Sequence, residues 1–211
     1  MDRQAAGIWY LSKTDLVMKR LIRDIGPYGL TPRVRRSPFE SLVRAIAYQQ
    51  LHARAAESIL GRFVALCPTQ RFPRPDNLLA MNDQALRSAG FSQAKIAALR
   101  DLAAKTLDGS LPTGAVLRTL DDEAIIERLM MVRGIGRWTV EMLLIFQLGR
   151  PDVLPIHDFG LRNGFRIAYG RRSMPMPKEV RRYGERWRPY RTAAAWYLWR
   201  VADRAKEANR N

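Results

Sequence analysis

The chain is poor in the residues that build disulfide and metal frameworks. Its 211 residues include one cysteine, Cys67, and two histidines, His52 and His157. An internal disulfide is excluded, and so is a four-cysteine iron–sulfur cluster within this chain. His157 adjoins Asp158, but two histidines far apart with no third strong ligand argue against a zinc site. No apolar run reaches the length that spans a bilayer. The N-terminus lacks a charged start followed by an apolar stretch and a small-residue cleavage site, so an unprocessed, intracellular protein is expected. Acid is scarce: 20 Asp and Glu face 36 Lys and Arg, for a net charge of +16. Such a field attracts polyanions, of which nucleic acid is the first reading and an anionic membrane surface the rival. Strict apolar–polar alternation, internal repeats and low-complexity tracts are missing too, which predicts little or no sheet.

What is present is helical periodicity nearly throughout. Leu16, Val17, Leu21, Ile22 and Ile25 recur at helical spacing until Gly26-Pro27 ends the run. Ser37-Pro38-Phe39-Glu40 reads as an N-cap, a first-position proline and a capping-box glutamate, opening a helix that buries Phe39, Leu42, Val43, Ile46 and Ala47. A second helix follows His52 and turns Ile59, Leu60, Phe63 and Val64 inward. The proline-rich stretch 67–76 reads as a loop. Helical patterns resume at 77–89, from Ser92 to Asp108-Gly109, and from Asp121 to near Met131. The arginine-rich end (Arg181, Arg182, Arg186, Arg188, Arg191) keeps its aromatics at helical spacing and reads as folded.

The most informative segment is Met130-Met131-Val132-Arg133-Gly134-Ile135-Gly136-Arg137-Trp138-Thr139. Two helical patterns meet at glycines separated by one apolar residue. Glycine allows a tight turn and close approach to a ligand, and the second helix would direct its free N–H groups outward as an anion site. Ile135 would plug the turn into the core. This arrangement grips a phosphate without reading sequence. Taken alone, Gly-x-Gly equally describes an ordinary connection between two helices.

Val132-Arg133-Gly134-Ile135-Gly136-Arg137-Trp138-Thr139 resembles the helix-hairpin-helix motif of the base-excision DNA glycosylase superfamily. In that superfamily a catalytic aspartate follows some twenty residues later; the matching segment, Val153-Leu154-Pro155-Ile156-His157-Asp158, ends on Asp158. Ala45-Ile46-Ala47-Tyr48-Gln49-Gln50-Leu51 and Arg186-Trp187-Arg188-Pro189-Tyr190-Arg191, with Trp199 beyond, are similar to the DNA-3-methyladenine glycosylase II branch. The resemblance spans roughly residues 35–205. Two departures stand out: Arg133 where the family often has proline, and Met142 where some members carry an aromatic. Larger members also have an N-terminal sheet domain, which this chain is too short to hold.

The resemblance implies an all-α fold of two helical lobes. One covers 36–148 and ends in the hairpin at about 121–148; the other combines 1–35 with 149–211 and carries Asp158, and the hairpin lies at the cleft between them. It implies a monofunctional glycosylase that flips alkylated purines out of double-stranded DNA and leaves an abasic site. A base of this kind is already cationic, so one carboxylate that stabilises the oxocarbenium-like sugar suffices. Bifunctional relatives place a nucleophilic lysine in the hairpin's second helix; here Trp138 occupies that neighbourhood, so water is the expected nucleophile. Trp138, Met142 and Trp199 are the expected base pocket, and Gln50, Leu51 and His52 the minor-groove wedge. Arg133, Gly134, Ile135, Gly136, Arg137 and Thr139 are the expected phosphate grip. No cofactor is expected beyond a monovalent cation (Na+ or K+) on the carbonyls of Met130, Val132 and Ile135.

Each assignment has a plainer counterpart. Asp158 fits a helix N-cap before Leu161, Phe165 and Ile167, and both roles are compatible. Trp187 reads as core, and Trp199 divides evenly between core and pocket. The glutamines fit a helix C-terminus, and His52 a surface loop. For the whole chain, the rivals are a glycosylase for deaminated or oxidised bases, a hairpin DNA-binding module without chemistry, and a basic membrane-surface protein. A monomer is expected, since one lesion needs one active site.

Overall fold

The computed structural model describes residues 3–32, 36–68 and 70–208. Among them there is no strand, and no helix is long and apolar enough to cross a membrane. The chain divides into two compact units: residues 33–143, and residues 1–32 together with 144–211.

The contiguous unit contains α3 (Pro38–Tyr48), α4 (Ala53–Ala65), α5 (Pro75–Ala80), α6 (Asp83–Ala89), α7 (Gln93–Leu107), α8 (Gly114–Thr119), α9 (Asp122–Leu129) and the first part of α10 (Arg137–Phe146). Side-chain caps set most starts. Ser37, Asn82, Ser92, Thr113 and Asp121 each accept the N–H three residues on, at 2.7–3.4 Å, which satisfies a donor the helix leaves unbonded. The expected capping box at Ser37 is therefore half formed. Its glutamate, Glu40, pairs instead with Arg44 at 2.9 Å and with Arg36 at 3.7 Å. The helical stretch expected at 77–89 is two helices, because Asn82 caps a new one. α5 starts at Pro75, so Asp76 is helical rather than looped. α7 packs against α3 and α5, and its Ile96, Leu99 and Leu102 are buried, as are Leu42, Val43 and Ile46 of α3.

The second unit brings α1 (Arg3–Thr14) and α2 (Leu16–Ile25) together with α11 (Phe159–Ala168), α12 (Pro177–Gly184), a short 3-10 turn (Glu185–Trp187) and α13 (Arg191–Ala208). Leu11, Met18, Phe165, Trp187, Tyr197 and Leu198 fill its core, each such burial being worth about 1.5–3 kcal/mol. α11 presses on α13 at Gly164, where a Cβ would fall within the radius of the Leu198 carbonyl. A single carboxylate ties the unit together. Asp15, only 4% exposed, caps α2 through the N–H groups of Val17 and Met18, and its Oδ2 accepts the Tyr169 hydroxyl at 2.7 Å and the Trp187 indole N–H at 3.0 Å. Four donors answer a charge that would be costly if left unpaired. Burial and the adjacent Asp15 carboxylate push the Tyr169 hydroxyl far above the usual phenol pKa.

Candidate active site

Asp158 is the N-cap of α11: its Oδ1 accepts the Leu161 N–H at 2.6 Å. The same oxygen accepts the Trp199 indole N–H at 2.8 Å, so two donors on two helices fix the carboxylate. Trp199 is half-buried and stacks on Phe146, with ring centroids 5.7 Å apart and an interplanar angle of 22°. Gly160 keeps this corner open. A Cβ there would stand 3.2 Å from Asp158 Oδ1 and 3.3 Å from Trp199 Cδ1. His157 is exposed. Phe146 was not among the site residues expected from the sequence, which showed it only as part of the helical pattern after the hairpin.

The segment leading into Asp158 is held by the arginine-rich end. Arg191 grips Asp152 through Nε to Oδ1 at 2.7 Å and Nη2 to Oδ2 at 3.0 Å, and it also donates to the Asp152 carbonyl at 2.8 Å. Such forked pairs fix geometry as well as adding energy. Thr192 Oγ1 donates to the Arg150 carbonyl at 2.7 Å and accepts the Val153 N–H at 3.0 Å. Trp187 is fully buried. Arg191 and Thr192, with Arg188 3.4 Å from Asp152, thus brace this segment within the unit, while Trp187 lies in its core.

In the other unit, the turn between α9 and α10 has Gly134 at φ +75° and Ile135 buried beneath it. Of the residues expected to grip phosphate, Ile135 and Thr139 are buried. Their N–H groups are occupied by the carbonyls of Val132 and Gly136, at 3.1 and 3.0 Å. The Arg137 guanidinium pairs at two points with Glu123 and also with Glu141 at 3.2 Å, and these carboxylates raise its pKa. Two of the expected side chains are therefore turned inward and one is committed to neighbouring acids. What the turn presents is the N–H groups of Gly134, Gly136 and Arg137, which find no acceptor among the described residues, together with the exposed Arg133 side chain. The carbonyls of Met130 and Ile135 likewise accept no hydrogen bond among those residues, whereas that of Val132 accepts the Ile135 N–H.

Two contacts that sequence reasoning missed hold this turn, and a third holds the end of α3 beside it. Asp101 Oδ2 accepts the Arg133 N–H at 2.7 Å while its other oxygen engages Lys105. Burial alone would raise the Asp101 pKa, but Lys105 and the Arg133 N–H outweigh it and the net shift is downward. Gln49 Nε2 donates to the Gly134 carbonyl at 2.9 Å. Lys95 Nζ donates to the carbonyls of Ala47 and Gln49, both at 2.9 Å, closing the C-terminal end of α3; burial lowers its pKa. Gln50 follows at φ +57°, a conformation few non-glycine residues adopt. Gln50, Leu51 and His52 are all exposed on this braced turn, and His52 is the N-cap residue of α4. Trp138 is 46% exposed and Met142 half-buried on α10.

Residues 43–189 match the family model described as HhH-GPD superfamily base excision DNA repair protein. The chain is 42% identical to DNA-3-methyladenine glycosylase 1 of Schizosaccharomyces pombe over 93% of its own length and 86% of that protein's. It is 34% identical to the same yeast's alkylbase DNA glycosidase-like protein mag2, over 91% of each. Among solved structures, the S. pombe 3-methyladenine DNA glycosylase in complex with abasic DNA superposes with a TM-score of 0.84, over 92% of this chain and 95% of that one. A Bacillus halodurans DNA-3-methyladenine glycosidase does so with 0.85 at 34% identity, over 95% and 91%.

Proposed function

This chain belongs to the HhH-GPD superfamily of base excision DNA repair proteins, and from that premise we propose that it is a monofunctional glycosylase for alkylated purines of the 3-methyladenine and 7-methylguanine type. Its relatives are DNA-3-methyladenine glycosylases, and one was solved on abasic DNA; the chain is an N-glycosylase that acts on DNA. The observation that carries the finer reading is the doubly held Asp158 beside Trp199. A carboxylate fixed before the reaction needs no reorganisation as positive charge develops on the sugar. The C1′–N bond breaks, its electron pair leaves with the already cationic base, and water attacks C1′ and loses a proton. α10 contains no lysine, so no amine there can form the Schiff base that lyase chemistry requires. The product on this reading is an intact strand with an abasic site.

Trp138 and Met142 on α10, and Trp199 beside Asp158, are the side chains that receive the base. An electron-rich ring face favours a cationic purine over a neutral one. Gln50, Leu51 and His52 fill the gap in the duplex. The free N–H groups of Gly134, Gly136 and Arg137, with Arg133, grip a phosphate. The carbonyls of Met130, Val132 and Ile135 suit a monovalent cation: two of the three lack an internal donor, and a bound cation would supply positive charge behind that phosphate. The protein acts as a monomer on double-stranded DNA inside the cell.

The test is incubation with methylated duplex DNA, chromatography of released bases and a parallel Asp158→Asn sample. The expected result is release of 3-methyladenine and 7-methylguanine by the native chain and loss of release in the variant, with strands cut only after alkali. Intact DNA binding without base release would overturn the proposal.

A further inference from the structure

Lys and Arg outnumber Asp and Glu across the chain, and one stretch of the discontinuous unit concentrates the excess. Between Arg162 and Arg186 eight Lys and Arg meet only Glu179 and Glu185. Both acids are engaged elsewhere: Glu179 accepts the Met176 N–H at 2.7 Å, and Glu185 pairs with Arg188 and Arg191. Arg171, Arg172, Lys178, Arg181, Arg182 and Arg186 are exposed, and none has a carboxylate partner among the described residues. By contrast Arg23, Arg44, Arg100, Arg137 and Arg191 all do.

The helix dipole accounts for Arg181 and Arg182, which lie in the last turn of α12. It does not account for Lys178. That residue sits in the first turn, where a cation is disfavoured, and stands four residues before Arg182, a like-charge spacing that destabilises a helix. Arg171, Arg182 and Arg186 then converge on one hollow of about 150 Å³ with Tyr183, Phe165 and a single acid, Glu179, whose Oε2 accepts the Met176 N–H. Arg186 lies over the Tyr183 ring, 3.8 Å from its centroid, which holds its guanidinium in place without neutralising it. Glu179 alone among the described residues offsets three guanidinium groups here, which leaves a net positive hollow.

We propose that this face, formed by the loop after α11 and by α12, is a second DNA-contacting surface that takes the phosphodiester backbone, on the unit that does not carry the hairpin turn. It rests on the reading of the chain as a DNA glycosylase and extends it to how the protein holds its duplex. The chemistry is that of phosphate oxygens with guanidinium groups, which carries no sequence preference.

The test is the salt dependence of binding to a duplex that extends well beyond the protein at both ends. The triple variant Arg171→Gln, Arg172→Gln, Arg182→Gln is compared with native protein. A control of equal charge change, Lys13→Gln, Lys19→Gln, Lys206→Gln, lies on α1, α2 and α13. Each lost phosphate contact lowers the slope of log K against log salt by about 0.9, so the triple variant should fall by about 1–3 and the control should not. Base release under single-turnover conditions at saturating protein should be the same for all three. An unchanged slope in the triple variant, or an equal drop in the control, overturns this surface. Failure of the native protein to release any methylated base would instead overturn the glycosylase reading, and is read separately.

Discussion

Replacing Trp199 by phenylalanine removes one N–H donor from Asp158 while keeping an aromatic ring to stack on Phe146. A hydrogen bond to a charged group is worth about 1.5–3 kcal/mol. If the indole holds the carboxylate in its productive orientation, that energy is lost from the transition state. The Leu161 N–H still holds the same oxygen at 2.6 Å, so the lower part of the range applies. A loss of about 1.5 kcal/mol corresponds to roughly a tenfold fall in rate. The assay is single-turnover release of 7-methylguanine with protein in excess, which separates chemistry from binding. Thermal unfolding of the same sample shows whether the unit stays folded. A Trp199→Phe rate within about twofold of native, alongside a large loss for Trp199→Ala, would refute the reasoning and leave Trp199 as a stacking surface only.

Gly160→Ala should slow base release several-fold with little loss of stability. Its Cβ presses on both Asp158 Oδ1 and Trp199, while alanine within a helix is favoured by up to about 1 kcal/mol; unchanged kinetics would show that the corner yields freely. Gly164→Ala should destabilise the protein by about 3 kcal/mol in urea unfolding, because the backbone of α13 blocks the new methyl group. Asp15→Asn keeps a capping oxygen but turns an NH2 group toward the Tyr169 and Trp187 donors, and should cost about 3 kcal/mol or more. The Asp101 pKa is net lowered, so its contribution to stability is fully present above the ordinary carboxylate pKa of about 3.9 and is lost as pH falls through the lowered value. Asp101→Asn should flatten the acid limb of a stability–pH curve and weaken DNA binding, with an unaltered limb counting against the brace.

Features that depend on neighbours in sequence could be read without the structure. Ser37, Ser92 and Asp158 announce their helices because a cap needs only its own first turn, and Gly134-Ile135-Gly136 announces a turn because glycine and a buried apolar residue suffice. What escaped reading depends on distant partners. Asp15 looks like a simple cap for α2, and nothing nearby in sequence shows that Tyr169 and Trp187 share its other oxygen. Arg137 looks free for phosphate until Glu123 and Glu141 are seen beside it. Asp101 and Lys95 lie on α7, far along the chain from the turns they brace. α8 was missed because six residues, Gly114 among them, carry too little periodicity to stand out. Phe146 could be read as apolar, but its stacking on Trp199 could not.

The division of the chain also puts the two units on different clocks during synthesis. Residues 33–143 are contiguous and can pack as soon as they emerge, whereas α1 and α2 belong with helices made much later. Met18 waits for Trp187 and Leu198, and the Gly26 carbonyl waits for the Tyr197 hydroxyl that bonds it at 3.1 Å. At ribosomal rates of about 5–20 residues per second, that interval is roughly ten to thirty seconds. Throughout it α1 and α2 have only each other, and the apolar surface they turn toward α13 and the 3-10 turn lacks its final cover.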